Sequence, residues 1–163
     1  MNIFDIIKSV FDDFISLFYP DLCLICNKNL LKKEECVCTS CLFQIPKTDC
    51  FQNSENRVSK LFWGRVTIEQ AASIFEFTKE GGMQKLIHIL KYEGNKGVGI
   101  FLGKHLAYAI EESLNFNKID CIVSIPLHPK KERKRGVNQS NVIAKGIHEV
   151  LKIKVSVATI AVA

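Results

Sequence analysis

Two Cys-x-x-Cys pairs, Cys23-Leu-Ile-Cys26 and Cys38-Thr-Ser-Cys41, constrain this chain more than any other feature. Two residues between thiolates let one turn of backbone set both sulfurs on a tetrahedral ion, and a second pair completes the sphere. The pairs are separated by eleven residues, slightly less than the usual ribbon spacing. Asn27-Lys28-Asn29 follows the first pair with residue types that suit the tight turn of a zinc knuckle. Four thiolates leave no open position, so the expected ion is a structural zinc held by Cys23, Cys26, Cys38 and Cys41. Cys36 can replace Cys38 in this set, although the matching spacing favours Cys38. The competing reading is a redox dithiol or a group of unrelated buried cysteines. Cys50 and Cys121 read as ordinary small residues of core or loop.

Six of the seven cysteines lie between Cys23 and Cys50. A secreted disulfide protein of this kind would be smaller and would carry an export signal. The N-terminus here is acidic, and no small-residue cleavage site follows an apolar core. A reducing cytoplasm with metal-bound thiolates is therefore the expected setting. Ile3, Phe4, Ile7, Val10, Phe11, Phe14, Ile15 and Phe18 recur at three- and four-residue steps, which predicts an amphipathic helix within 1–19. Asp5, Lys8, Asp12 and Asp13 interrupt it, so it is not a transmembrane span. Its acidic polar face argues for packing or partner contact over a membrane surface.

The rest of the chain divides by composition. Residues 20–50 form the cysteine module, and the polar stretch 51–65 reads as a linker. Residues 66–163 read as an α/β domain. Val66, Ile68, Ile74, Phe75 and Phe77 in 66–78 predict one or two strands. A short helix from Met83 ends near Gly94, and a second helix spans Gly97–Leu114. The apolar run 119–125 predicts a strand buried on both faces. Pro126–Gly136 predicts a basic loop, Val137–Leu151 a helix, and 153–163 a last strand, which together suggest a parallel sheet. At 18.4 kDa and 47% hydrophobic residues, the chain has room for about one domain and a small module.

The formal net charge of +5 matters less than its placement. Lys130, Lys131, Arg133, Lys134 and Arg135 crowd into six residues with a single acid, Glu132. In open α/β sheets the ligand crevice lies outside the carboxyl ends of the strands. A basic loop at that place suits a polyphosphate, whereas a basic run elsewhere is usually a solvated face.

The sequence resembles the ComF family, phosphoribosyltransferase-like proteins associated with bacterial competence and DNA uptake. Phe18-Tyr-Pro-Asp-Leu-Cys23-Leu-Ile-Cys26 with Cys38-Thr-Ser-Cys41 resembles that family's N-terminal zinc module. Leu86-Ile-His-Ile-Leu-Lys91-Tyr-Glu-Gly94 resembles its "H-x-L-K-Y-x-G" stretch. Pro126-Leu-His-Pro129 with Arg135-Gly-Val-Asn-Gln139 resembles its "PLH…RGFNQ" signature, with Val137 where Phe is usual. The resemblance spans about residues 15–155. It implies the first part of a type I phosphoribosyltransferase-like parallel-sheet domain behind a four-cysteine, zinc-ribbon-like module. It implies an anion site at Lys91, Ser124, His128, Lys130, Lys131, Arg133 and Arg135, and proteins of a DNA-uptake machinery as partners. Mg²⁺ and phosphoribosyl pyrophosphate belong to the intact enzyme fold, in which a nitrogen nucleophile displaces pyrophosphate.

The family's later acidic pair and Thr-Thr-Gly loop, which cradles a ribose 5-phosphate, have no counterpart here. Asp12-Asp13 is paired but has no glycine-rich turn after it, and Val155–Ala163 departs from the expected polar segment. The expectation is a form truncated or frame-shifted before that loop, or a naturally short one. It is expected to be inactive as a transferase, with no catalytic residue assigned. Two other functions compete. One is a single-stranded nucleic-acid-binding module using Phe43, Phe62 and Trp63 for stacking, although core packing is the favoured role for these aromatics. The other is a non-catalytic adaptor docked through the N-terminal helix and the zinc module. His88, His105 and His148 read as helix positions, and His128 as a ligand contact or a turn cap.

Overall fold

A computed structural model of the chain describes residues 20–113, 116 and 118–158. The helix expected over 3–18 and residues 159–163 of the expected last strand lie outside them. The chain forms two compact units, Met1–Phe43 and Gln44–Ala163. In the first, Leu22 bridges antiparallel to Asn29 around a tight turn, and the chain returns to begin helix α1 (Thr39–Gln44).

The second unit is organised at its start by one buried amide. Asn56, 4% exposed, reaches the carbonyls of Cys50 (3.1 Å), Asn53 (2.9 Å) and Ala71 (2.9 Å). Its Oδ1 accepts from the backbone N–H groups of Val58 and Ser59, capping helix α2 (Arg57–Lys60). The Ser59 hydroxyl both donates to Ala71 O (3.0 Å) and accepts from Ala71 N (3.1 Å). The polar stretch read as a linker thus holds a hydrogen-bonded node, which fixes the positions of 50–59 and 71 together.

The strands expected over 66–78 do not form. That segment pairs at one isolated antiparallel bridge, Lys47 with Phe75, flanked by Thr48 N to Ile74 O (3.0 Å) and Glu76 N to Pro46 O (2.9 Å). The physical reason lies in Asn56 and Ser59, whose side chains take the backbone groups of Ala71 that a longer ladder would need. Helix α3 (Gly82–His88) continues as a π-helical turn (Ile89–Glu93) and stops at Gly94, which has φ 64°. Glycine suits that left-handed position because it has no Cβ to clash. Helix α4 (Lys96–Glu111) starts at Asn95, whose side chain accepts from Val98 N.

Strand β1 (Cys121–Ser124) leads through helix α5 (Pro129–Arg135) and helix α6 (Gln139–Leu151) to strand β2 (Lys154–Val157). The strands pair in parallel with Cys121 opposite Lys154 and Ser124 opposite Val157. The fold is therefore mixed α/β with a two-stranded parallel sheet. Two expectations need correction. Strand β1 is not buried on both faces: α6 packs against the sheet, while Val123 and Ile125 remain 55% and 73% exposed. The basic segment is not a loop but helix α5, because Pro129 sits at its first position, where its missing N–H costs nothing and its fixed φ suits the helix.

The core of this unit lies between α4 and α6. Leu86, Leu90, Val98, Phe101, Leu102, Ala107, Val142, Ala144 and Ile147 are buried. Gly99, Gly103 and Gly146 line the crossing, so the two backbones approach closely. No helix among the described residues is long and apolar enough to cross a membrane.

Candidate functional site

The first candidate is the cysteine cluster. Asn27 takes φ 59°, which closes the turn after Cys26; asparagine tolerates this left-handed conformation better than most residues. Cys23 N donates to Lys28 O (2.8 Å), and Asn27 N to Cys23 O (2.8 Å). The second pair is built differently. Cys38 immediately precedes α1, accepting from Leu42 N (3.0 Å), and Cys41 sits in the first turn. A knuckle and a helix start thus face one another, where a ribbon would present two knuckles. Glu34 fastens the helix start by accepting from Thr39 N (2.6 Å), Thr39 Oγ1 (2.6 Å) and Leu31 N (2.9 Å). These bonds, led by that from Leu31, hold its carboxyl below its ordinary value.

The Sγ atoms of Cys23, Cys26, Cys38 and Cys41 all lie within 4.8 Å of one another. A tetrahedron with metal–sulfur bonds of about 2.3 Å has edges of about 3.8 Å, and Cys26 Sγ stands 3.7 Å from Cys38 Sγ. The four cysteines are therefore close enough to hold one metal ion. Among the described residues the cluster takes Cys38 and not Cys36.

The electrostatics point the same way. Burial alone would raise the Cys23 thiol, but backbone hydrogen bonds from Cys38, Cys26 and Ile25 outweigh it and bring it down to about 6. The Cys38 thiol is pulled down by a Cys41 backbone bond, yet burial and the Cys23 and Cys26 sulfurs push it above its usual value. Cys41 is raised strongly by burial and by the three neighbouring sulfurs. Four thiols this close cannot all ionise together without a cation among them.

The second candidate is the basic helix. Lys130, Lys131, Arg133 and Lys134 are exposed on α5, and α5 buries no residue. His128 caps it, with Nδ1 accepting from Lys130 N (3.2 Å). Half-buried Arg135 donates to Gln139 Oε1 (3.0 Å), and Gly136, at φ 75°, ends the helix. Asn138 caps α6 by accepting from Ser140 N (3.1 Å) and ties back to Ile125 O (3.2 Å) at the end of β1. In Arg135-Gly-Val-Asn-Gln139, Arg135, Gly136, Asn138 and Gln139 thus have local structural duties and Val137 is buried. Replacing buried Asn138 by Ala removes both the cap and the tether. The expected loss is about 2 kcal/mol, read as a lower denaturant midpoint.

The π-helical turn carrying Lys91 packs against α5, and Gly94 sits so close to Arg135 O that a Cβ would stand 3.0 Å away. The structure therefore brings the Lys91 turn to the basic helix. It does not bring Ser124 there: Ser124 is 3% exposed, and its hydroxyl donates to Asn141 Oδ1 beneath the sheet.

Sequence reasoning missed Asn56 and Asn141, because each acts on groups that the fold returns to it from a distance, and missed Glu34, whose partners Leu31 and Thr39 lie three and five residues away in an irregular turn. The Arg135–Gln139 pair carried a readable signal, its i,i+4 spacing. The favoured core role for Phe43, Phe62 and Trp63 is corrected: they are 81%, 39% and 58% exposed. Phe62 and Trp63 sit on a turn that leads out from Ser59 and back to Ala71. His148 Nδ1 lies 2.8 Å from Ile153 O, and His88 stacks near Tyr92 at 4.5 Å between ring centroids. His105 packs edge-on to Phe101, 4.5 Å between centroids, beside a cavity of about 630 Å³ that also meets Lys47, Phe51, Tyr108 and Glu112. Compared with protein-family models, with curated proteins and with solved structures, the chain matches none of them.

Proposed function

We propose that the chain is a ComF-like, phosphoribosyltransferase-family protein of the cytoplasm that serves DNA uptake, with a structural zinc in its cysteine cluster. The observation that carries this reading is the placement of Pro126-Leu-His-Pro129 and Arg135-Gly-Val-Asn-Gln139 around a basic helix that follows a parallel strand. That is where an open α/β sheet receives its ligand. The exposed cations of α5, with the Lys91 turn packed beside them, offer charge to a polyphosphate; buried Ser124 turns its hydroxyl to Asn141 Oδ1 and to Ser156 O (3.4 Å) instead.

Zinc is favoured over other ions by the donor set, since four thiolates in a closed tetrahedral arrangement suit it and leave no position for catalysis. The transferase reaction is not proposed for these residues. No acidic pair followed by Thr-Thr-Gly occurs among them, so the ribose phosphate would lack its cradle.

Calorimetric titration with magnesium pyrophosphate and with phosphoribosyl pyrophosphate tests the reading. Both are expected to bind without release of pyrophosphate from the latter. Lys130→Glu combined with Lys131→Glu is expected to weaken binding about tenfold or more, since each charge-assisted contact is worth over ~1 kcal/mol. These side chains are exposed, so the fold should survive. Absence of binding by the unaltered chain would refute the anion site, and turnover would refute its inactivity.

A further inference from the structure

The loop from Lys60 to Ile68 inverts the usual order of a surface turn. Leu61 (67% exposed), Phe62 (39%), Trp63 (58%), Val66 (60%) and Ile68 (37%) all point to solvent. The loop is nevertheless built. Backbone bonds from Phe62 N to Ser59 O (3.0 Å), Arg65 N to Phe62 O (3.0 Å) and Val66 N to Phe62 O (3.1 Å) close its tip. Ser59 and Asn56 fasten its base to Ala71. A loop held at base and tip presents its apolar side chains, because the polar groups that fix it are not the ones on show.

The cations lie within the tip, and the nearest acid on its far side, exposed Glu69, comes only after it. Lys60 and Arg65 are exposed within it, and no acidic residue occurs from Lys60 to Ile68. Lys60 Nζ lies 5.8 Å from the Trp63 ring, so a cation stands beside the largest apolar group. Tryptophan between apolar side chains and basic residues is the composition of a membrane-interface anchor, in which the ring sits at headgroup depth and the cations meet anionic lipid.

We infer that the Lys60–Ile68 loop is a docking tip for an anionic lipid surface, into which Leu61, Trp63 and Val66 insert while Lys60 and Arg65 meet the headgroups. A single nucleic-acid strand fits less well. Leu61, Val66 and Ile68 have no π face for a base to stack on, yet they are part of the same exposed patch. A bilayer interface covers aliphatic and aromatic side chains alike.

The chain supplies its own probe, because Trp63 is its one tryptophan. The full chain is titrated with vesicles of phosphatidylcholine alone and of phosphatidylcholine with one-third phosphatidylglycerol. The expected result is a blue shift of the emission and co-sedimentation with the anionic vesicles, weakened by salt. Leu61→Ser with Val66→Ser keeps the probe and is expected to lower partitioning about tenfold, because two inserted side chains are lost. As both positions are exposed, the variant should fold, and an unchanged far-UV dichroism spectrum checks this. An emission spectrum unmoved by anionic vesicles overturns the proposal. So does equal partitioning of the variant, or a shift produced by a single-stranded oligonucleotide and not by vesicles. The lipid and polyphosphate tests fail independently, since Lys130→Glu with Lys131→Glu leaves the loop intact.

Discussion

Cys41→Ser is expected to take the chain from about one zinc ion to near none and to open residues 20–43 to protease. Cys41 stands in the first turn of α1, and its thiol lies in the cluster that the helix start shares with the knuckle. Among the described residues of this unit the buried set is only Cys23, Val37, Cys38 and Cys41. Zinc binding to such small sites supplies on the order of 10 kcal/mol that becomes folding energy, so losing one of four ligands removes most of the unit's stability. Cys36→Ser is the control and should keep its zinc, because Cys36 stands outside the cluster. Metal analysis and limited proteolysis read both outcomes. Full zinc content in Cys41→Ser would remove the four-thiolate reading.

The pH dependence should gain an alkaline limb when the ion is removed. With zinc bound, acid competes for the thiolates and metal is lost as pH falls. In the metal-free chain Cys38 and Cys41 are raised above the ordinary 9.0. Their contribution is therefore present below 9.0 and lost as pH rises past it, where the unfolded chain ionises them more readily. Cys23, lowered to about 6, acts in the opposite sense: its contribution is present above 9.0 and falls away as pH drops through 6. Metal-free protein should thus tolerate neither extreme. Denaturant midpoints of the two forms across that range are the measurement.

Gly146→Val is expected to cost about 3 kcal/mol, the upper part of the usual range for forcing volume into a packed core. A Cβ at Gly146 would stand 2.3 Å from Ile100 O and 2.9 Å from Gly103 Cα. Those neighbours are backbone, so no rotamer change makes room, and α4 and α6 must separate. Leu90, Val98, Phe101 and Val142 would lose part of their burial as they do. Gly103→Val should behave alike, since its Cβ would stand 2.2 Å from Ile143 O. The double variant should cost less than the sum, because the first separation already opens the second site. Urea unfolding followed by helical dichroism reads this. A shift below about 0.5 kcal/mol would show that the helices do not cross so closely.

The cysteine cluster was legible because its ligands lie within a short stretch and their spacing is itself the geometry. The three long helical segments were legible in the sequence, and Gly94 marked a helix end that the structure keeps. Helix α5 was hidden by Pro129, which reads as a breaker when the helix start is unknown and as a good first residue once His128 is seen to cap it. The strands expected from Val66, Ile68 and Phe77 failed for a different reason. Their apolar side chains alternate only in part, and the segment's own backbone at Ala71 is engaged by Asn56 and Ser59 from outside it. Local pattern cannot report a side chain that arrives from twelve or fifteen residues away. The same limit concealed Ser124, whose place beside the basic segment in sequence becomes a place beneath the sheet once Asn141 turns toward it.

Helix α5 is seven residues long and buries none of them. An isolated helix of that length is marginal in water. Its His128 and Gly136 caps, and its neighbour in the Lys91 turn, are what hold it. Its cations are therefore aligned only as far as those caps and that neighbour hold the helix, and five like charges in one short helix work against them. Any anion that gathers them must first select the helical members of the population, and its apparent affinity falls by the share that is not helical. Affinity at the proposed anion site would then depend on how firmly seven residues hold their helix, and a change to a cap that touches no ligand would retune it.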